Sequence, residues 1–257
     1  MYYTTQDVGD GMTKYLEGSE GVVEIKDGYA YKYFKDLKQL ETKRNKIEAL
    51  KKINIQGFVM PEELLYDKEG NFIGYKMKAV QNDLDMYDLF QKKGNILTLD
   101  KKIEYLLKVE KLIKNAHEKN IILNDCCFWN FLIQDNNEVI GIDTDNFQIN
   151  GFKTNKFPTY FLSYYKSLTG EKESSFDSDK FSYGLFALRS LLQYPFKLDG
   201  GLITHSPKYD FLKNIFRYCD IPDNAKEEIY EFLSTNKEKE WMGKTLEKMS
   251  SNRRKYI

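Results

Sequence analysis

The sequence predicts an α+β fold, in which a small antiparallel β-rich part with one helix precedes a larger, mostly helical part. Residues 15–34 alternate between apolar and polar side chains around glycine turns, which is the pattern of half-buried strands. After about residue 84 the apolar residues recur at helical spacing. The chain has 257 residues, enough for one large domain or two lobes with a sizeable buried core.

The first predicted element is a β-hairpin. The apolar runs 22–25 and 29–34 flank Asp27-Gly28, a dipeptide that favours two-residue hairpin turns. Asp36 can then cap a helix, whose sparse apolar stripe runs from residue 37 to residue 53. Further short strands are predicted where apolar runs are bounded by turn residues, at 58–66, 72–80, 131–133 and 139–142.

The clearest predicted helix covers residues 99–119. Its apolar residues follow three-and-four spacing, with Asp100 near its start and Lys114 and Lys119 near its end, as the helix dipole favours. Weaker helical patterns follow at 181–193, 209–218, 225–234 and 237–249.

Composition excludes several classes of function. Lys plus Arg and Asp plus Glu both total 39, which argues against general nucleic-acid binding. His117 and His205 alone leave little room for a histidine-rich metal centre, and the adjacent Cys126 and Cys127 are expected to be packed side chains. Because the chain has no membrane-spanning apolar run and residues 1–10 resemble no secretory signal, we expect a cytoplasmic protein without a membrane partner.

A glycine turn and a strand lysine are the first candidates for chemistry. Gly18 and Gly21 lie between strands, where glycine lets the backbone approach a phosphate closely, although an ordinary turn fits as well. Lys32 lies inside the following strand. If its ammonium is buried it needs a carboxylate partner, and Glu48 or Glu41 on the next helix is available; otherwise it is a solvated strand lysine.

Three polar residues next to apolar segments are the second group of candidates. Asp125 precedes Asn130 by five residues, and Asp143 ends an apolar strand. A carboxylate can accept the proton of an attacking hydroxyl, and carboxylate and carboxamide oxygens suit a hard cation such as Mg²⁺. An Asp-x-Asp sequence such as Asp143 to Asp145 also occurs in turns that bind nothing.

In this order and context, these motifs resemble the protein-kinase-like superfamily, in particular its atypical bacterial-type Ser/Thr kinases. The thirteen residues from Asn130 to Asp143 match the interval expected in that family. Residues 179–184 also resemble the start of the large C-lobe helix of protein kinases. The resemblance covers roughly residues 12–235 and implies a bilobal fold, with an N-lobe at 1–80 and a C-lobe at 81–257 that share one cleft.

The resemblance implies ATP and Mg²⁺ as cofactors. It assigns nucleotide contacts to Gly18 and Gly21 over the phosphates, Val23, Ala30 and Met77 around the adenine, Ala79 in a hinge at 78–80, and Asp83 or Asp85 near the ribose. Lys32 would hold the α- and β-phosphates, oriented by Glu48 or Glu41. Asp125 would be the catalytic base, Asn130 and Asp143 the metal ligands, and Asp179 a brace beneath the catalytic loop, with His117 structural.

Departures from the family pattern keep the function open. They are Leu16 for the first glycine, Leu123-Asn124 for His-Arg, Cys127 for the catalytic-loop lysine, Thr144-Asp145 for Phe-Gly, and no Ala-Pro-Glu near 161–165. Asp145 is either a second metal-binding carboxylate or a turn residue facing solvent. The leading interpretation is a protein Ser/Thr kinase; the alternatives are a pseudokinase that serves as a nucleotide-binding or scaffold module, and a small-molecule kinase. The expected partner is the phosphate acceptor, for a monomer or weak homo-oligomer.

Overall fold

The computed structural model describes residues 2–4, 14–18, 20–36, 38–80, 84–86, 88–92, 97–153, 165, 169–171, 173–191, 222–234 and 241–253. The α+β class is confirmed, since a large antiparallel sheet and several helices are present. The chain divides into two compact units, one of residues 1–83 with 140–145 and one of residues 84–139 with 146–257. Asp83, His205, the predicted helix at 209–218 and residues 161–164 lie outside the described residues.

The first unit is built on a six-stranded antiparallel sheet in the order β1-β2-β3-β4-β6-β5. Its strands are β1 (Tyr2–Thr4), β2 (Lys14–Glu17), β3 (Gly21–Lys26), β4 (Tyr29–Phe34), β5 (Pro61–Tyr66) and β6 (Phe72–Lys78). The predicted hairpin joins β3 to β4, and Asp27 and Gly28 both have positive φ (52° and 78°), as its turn requires. Strand β1 was not predicted, because three residues are too few to show a period.

The helix of the first unit, α1 (Leu40–Leu50), packs on β5 and β6 and buries Ile47 and Leu50. It begins later than predicted, after Gln39 with φ of 55°. The Asp36 carboxylate accepts the Lys38 N–H at 2.9 Å, so Asp36 caps the preceding turn instead of the helix.

The segment Ile140–Asp145 joins the first unit although it is distant from it in sequence. The Gly141 N–H donates to the Gly57 carbonyl at 2.8 Å, and the Val59 N–H donates to the Gly141 carbonyl at 2.9 Å. The Thr144 hydroxyl donates to the Val59 carbonyl at 3.2 Å. These bonds explain why β5 begins at residue 61 and not at 58, since residues 57–59 pair with this segment.

The second unit is mainly helical. It contains β7 (Leu84–Asp85), which pairs with β8 (Phe131–Ile133); β9 (Val139–Gly141) follows β8 and leads the chain back to the first unit. Its described α-helices are α2 (Leu99–His117), α3 (Phe176–Leu191), α4 (Asp223–Ser234) and α5 (Gly243–Arg253). Helix α2 packs against α3 and α5, and α3 packs against α4.

Side-chain caps explain where two of these helices begin. Thr98 accepts the Lys101 N–H at 3.2 Å, and α2 starts as predicted. Helix α3 starts five residues before the predicted 181, because the Ser175 hydroxyl accepts the Ser178 N–H at 3.2 Å. Of the helices in the described part of the chain, none is long and apolar enough to cross a membrane.

Candidate functional site

One face of the sheet in the first unit carries four of the residues that the resemblance assigns to the nucleotide. Val23 lies opposite Lys32 across β3 and β4, and Ala30 lies opposite Met77 across β4 and β6. Directly opposite residues, and residues two apart in a strand, share a face. Val23, Ala30, Lys32 and Met77 therefore lie on the same face, where the last three are buried.

Lys32 is the centre of this face and is only 5% exposed. Its ammonium donates hydrogen bonds to the carboxylate of Asp143 and, at 2.7 Å, to Oδ1 of Asp145. Burial by itself would lower the pKa of Lys32, but the Asp143 and Asp145 carboxylates raise it well above the ordinary lysine value. Lys32 is therefore a charged, paired group, and the solvated-lysine alternative is wrong.

Asp145 is the hub of the buried network. Its side chain is 6% exposed, and Oδ1 accepts hydrogen bonds from Lys32 and, at 2.8 Å, from the Tyr75 hydroxyl. Although burial would raise the pKa of Asp145, the ammonium of Lys32 and the hydroxyl of Tyr75 bring it below the usual value. The interpretation of Asp145 as a turn residue facing solvent is wrong.

Helix α1 reaches the network through Lys46, whose ammonium donates to the backbone carbonyl of Asp145 at 2.5 Å. Burial lowers the pKa of Lys46, and the negative charge of Asp145 opposes that effect.

Glu48, two residues further on, lies about 200° around the helix from Lys46 and bonds Lys51 at 3.2 Å. Glu41 is exposed. The partners of Lys32 thus come from the segment 143–145, and the predicted pairing with Glu48 or Glu41 is not the one in the structure.

Asp143 differs from Asp145 in its access to solvent. Its side chain is 29% exposed, and its backbone has φ of 62°, a left-handed conformation that Asp tolerates better than most residues. A partly exposed carboxylate fits the hard-oxygen preference of Mg²⁺. Within the described ranges no group of three or more His, Cys, Asp and Glu side chains could hold an ion, so a cation here would take its other ligands from phosphate, amide or water oxygens.

Of the two glycines in the glycine turn, Gly21 is required by the packing of the strands. A Cβ on Gly21 would lie 2.4 Å from the Tyr33 carbonyl oxygen, so the approach of β3 to β4 already requires glycine there. A Cβ on Gly18 would lie 3.6 Å from the Gly21 carbonyl, an ordinary contact. Gly18 accepts a hydrogen bond at 3.0 Å from Lys35, which places a cation at this turn.

The residues assigned to the hinge and the ribose, Ala79 and Asp85, use their backbone groups within the fold. The Ala79 N–H donates to the Gly28 carbonyl at 3.0 Å, so this amide is already used in the structure. Any adenine contact at Ala79 would have to involve another atom. Asp85 lies in β7, where its backbone pairs with Leu132.

In the second unit, Asp179 organises the loop that carries Asp125. Its Oδ2 accepts the Leu123 N–H at 2.7 Å and its Oδ1 accepts the Asn124 N–H at 3.0 Å. His117 Nε2 lies 3.0 Å from Oδ2 of the same carboxylate. Asp179 is completely buried, so the predicted brace beneath the loop and the structural role of His117 are confirmed.

Asp125 and Asn130 are connected within that loop. The Asp125 carbonyl accepts hydrogen bonds from Asn130 Nδ2 at 2.8 Å and from the Cys127 N–H at 3.1 Å. The bond fixes the Asn130 carboxamide through its nitrogen, which makes Oδ1 the atom that could bind a cation. Phe128, between the two residues, is fully buried against Phe186, with ring centroids 4.3 Å apart.

Cys126 and Cys127 are both free and buried, as expected for packed side chains. Burial raises the pKa of both thiols well above the ordinary value, and the negative charge of Asp125 acts in the same direction. The Cys127 thiol is therefore neutral, and it adds neither a positive nor a negative charge next to Asp125.

Neither a scan against models of protein families nor a search of curated proteins returns a match to this chain. The function of the chain therefore has to be inferred from the geometry of the Lys32 group in the first unit and the Asp125 loop in the second. The sequence did not indicate that Tyr75 and Lys46 belong to the first group. The alternation along 72–78 places Tyr75 on the buried face, but its bond to Asp145 depends on a segment seventy residues away in sequence.

Proposed function

We propose that this protein is an ATP- and Mg²⁺-dependent phosphotransferase with a kinase-like fold, which transfers the γ-phosphoryl group to Ser or Thr of a protein. The observation that carries the proposal is the buried Lys32 ammonium bonded to the partly exposed Asp143. Burying charges costs several kcal/mol per ion, and well-packed apolar residues would often be at least as stable. Retention of this ion pair beside an accessible carboxylate favours a function for it, namely binding phosphate and metal.

The first unit would hold the nucleotide. Mg-ATP supplies the transferable phosphoryl group and a divalent charge when it is bound. Lys32 neutralises the phosphates that are not transferred, and Asp143 offers oxygen ligands to the metal. Ala30 and Met77, buried side by side on the same sheet face, provide apolar surface for the base.

The second unit would hold the acceptor hydroxyl. Asp125 orients this hydroxyl and takes its proton, while Asp179 fixes the backbone immediately before Asp125. Phosphoryl transfer passes through a loose transition state, so positioning and charge neutralisation account for most of the catalysis. The loop that carries Asp125 is held in place by buried hydrogen bonds to Asp179, which suits a reaction that depends on positioning.

A nucleotide-binding pseudokinase is the second candidate, and Cys127 favours it. A neutral thiol stands where protein kinases place a lysine, so one cation near the transferred phosphate is missing. The Lys32 group would then still bind nucleotide, but transfer would be slow or absent.

Incubation with γ-labelled ATP and Mg²⁺, alone and with a generic protein acceptor, tests the proposal. We expect metal-dependent labelling of protein that is lost in Asp125→Asn and Asp143→Ala. The exposed carboxylates Asp135 and Glu63 provide matched controls, because Asp135→Asn and Glu63→Gln should keep wild-type labelling.

The outcomes separate the candidates. Stabilisation of the protein by Mg-ATP without label transfer would favour the pseudokinase. Turnover that requires a small hydroxylated acceptor would favour a small-molecule kinase. Label transfer that persists in Asp143→Ala would overturn the assignment of the site.

A further inference from the structure

We infer, on the basis of the proposed function, that Asp145 with Tyr75 is the positioning pair for Lys32, in place of a glutamate on helix α1. Asp145 would hold the lysine in both the empty and the nucleotide-bound protein. Asp143 would hold it only until metal and phosphate arrive. The two carboxylates therefore have separate roles, although only one residue lies between them.

The first support is the difference in exposure between the two carboxylates. The Asp145 side chain is 6% exposed, against 29% for Asp143. A metal that carries phosphates and water needs an accessible oxygen, which Asp143 offers. Asp145 has its Oδ1 occupied by Lys32 and Tyr75 and is buried beneath the sheet face, so it suits a permanent bond to the lysine and not a metal site.

The second support is the position of Tyr75. It lies directly opposite Lys32 in the β4–β6 pair, and its side chain is fully buried. Burial, followed by the negative charge of Asp145, raises the pKa of Tyr75 well above its usual value, so the hydroxyl stays a donor. With two donors from neighbouring strands on one oxygen, the Asp145 carboxylate is fixed in place, and the direction of the Lys32 ammonium is fixed with it.

The third support comes from helix α1. The helix contributes a lysine to this network, Lys46, whose ammonium donates a hydrogen bond to the backbone carbonyl of Asp145. Besides burial, the charge of Lys32 lowers the pKa of Lys46 and the charge of Asp145 raises it, so the Asp145 carboxylate offsets the repulsion between the two lysines. The helix thus holds the Asp145 backbone, while the carboxylate that orients Lys32 comes from the segment 140–145.

The test is a double-mutant cycle on Mg-ATP affinity. Asp145→Asn keeps the shape of the side chain but removes its charge, and we expect an approximately ten-fold weaker Kd, since a hydrogen bond to a charged group is lost. Tyr75→Phe should give a smaller loss of about three-fold. In a Lys32→Met background the Asp145→Asn change should have no further effect, because Asp145 acts through Lys32. Glu63→Gln, an exposed partner of a strand lysine, is the matched control.

A second measurement uses the nucleotide-free protein. Hydrogen exchange of the ¹⁵N-labelled Lys32 ammonium, assigned by its loss in Lys32→Met, should accelerate at least several-fold in Asp145→Asn and Tyr75→Phe. Urea unfolding of each variant identifies the conditions in which it is folded. Unchanged exchange and unchanged affinity in both variants would overturn the inference.

The remaining outcomes distinguish this inference from the proposed function. If the wild type binds Mg-ATP but Asp145→Asn raises the Mg²⁺ requirement as Asp143→Asn does, Asp145 is a metal ligand and the inference fails alone. If Glu48→Gln, and not Asp145→Asn, weakens binding, the helix glutamate is the partner and the inference again fails alone. If the wild type binds no nucleotide, the proposed function fails and the inference fails with it, whatever the exchange of Lys32 shows.

Discussion

At the scale of single residues, the charge on Lys32 is explained by two carboxylates that the chain returns to it from residues 143–145. A lone buried ammonium would lose its proton or unfold the region around it. The observed pairing keeps it charged at neutral pH, which a phosphate-binding group requires. The two carboxylates differ in their exposure to solvent, and this difference indicates which one stays bound to Lys32. Exposure depends on the fold and cannot be predicted from the residue types alone.

The same network predicts how stability depends on pH. The pKa of Asp145 is below its ordinary value of 3.8 in the folded protein, so the contribution of its charge is complete above about pH 5 and is lost as the pH falls through 3.8 and the folded pKa. The pKa of Lys32 is raised, so its contribution is lost only at alkaline pH above about 10.5. The stability difference between wild type and Asp145→Asn should therefore be constant from about pH 5 to 8 and shrink below pH 4, by up to about 1.4 kcal/mol per pH unit. Urea unfolding across this range checks it, and a constant difference down to pH 3 would contradict the pairing.

The two glycines of the glycine turn, Gly18 and Gly21, should respond differently to alanine. Gly21→Ala puts a methyl group 2.4 Å from a backbone oxygen, which we expect to cost about 2 kcal/mol of unfolding free energy. Gly18→Ala makes an ordinary 3.6 Å contact and should change stability by less than about 0.5 kcal/mol. Denaturant unfolding of both variants measures the effect. Equal costs would mean that the strand approach at Gly21 is not the reason for its glycine.

At the scale of elements, locally encoded features were predictable and long-range ones were not. The Asp27-Gly28 hairpin and helix α2 follow from the turn residues and the helical period, and both are present. The start of α3 was placed too late, because the Ser175 cap lies outside the apolar pattern. From the sequence, the nearest acidic residues to Lys32 are those of α1, and they predict a different partner from the one in the structure. The actual partners depend on the pairing of residues 57–59 with Gly141, for which the local sequence gives no signal.

That pairing predicts a compensating pair of substitutions. A Cβ on Gly141 would lie 2.2 Å from the Phe58 ring, so Gly141→Ala should destabilise the protein by about 2 kcal/mol. In a Phe58→Ala background the methyl group has room, and the additional cost of Gly141→Ala should fall by about 1 kcal/mol or more. The four unfolding free energies of this cycle give the coupling. Strictly additive costs would show that the two residues are not in contact.

At the scale of the whole molecule, residues 140–145 belong to a unit whose other residues all lie before position 84. The second unit is therefore interrupted in sequence by the segment that carries Asp143 and Asp145. This arrangement allows a strand-ending carboxylate, encoded after the loop that carries Asp125, to meet a lysine encoded near the N-terminus.

Hydrogen exchange should show that the segment unfolds with the first unit. We expect the Gly141 amide, bonded to Gly57, to open with the same free energy as the amides of β4, and Asp145→Asn to lower both. Amides of Leu106 and Val109 in the buried part of α2 should be unchanged by that substitution. Exchange of Gly141 in step with α2, and not with β4, would contradict the assignment of the segment.

The proposed function requires the Lys32 group to bind the phosphates of a magnesium nucleotide. Calorimetric titration of the full chain with ATP, in the presence and absence of Mg²⁺, measures this binding. We predict saturable binding that requires Mg²⁺ for full affinity, weakens at least ten-fold in Lys32→Met and is unchanged in Glu63→Gln. Absence of binding by the folded wild type, or equal affinity in wild type and Lys32→Met, would show that the Lys32 group does not bind the nucleotide.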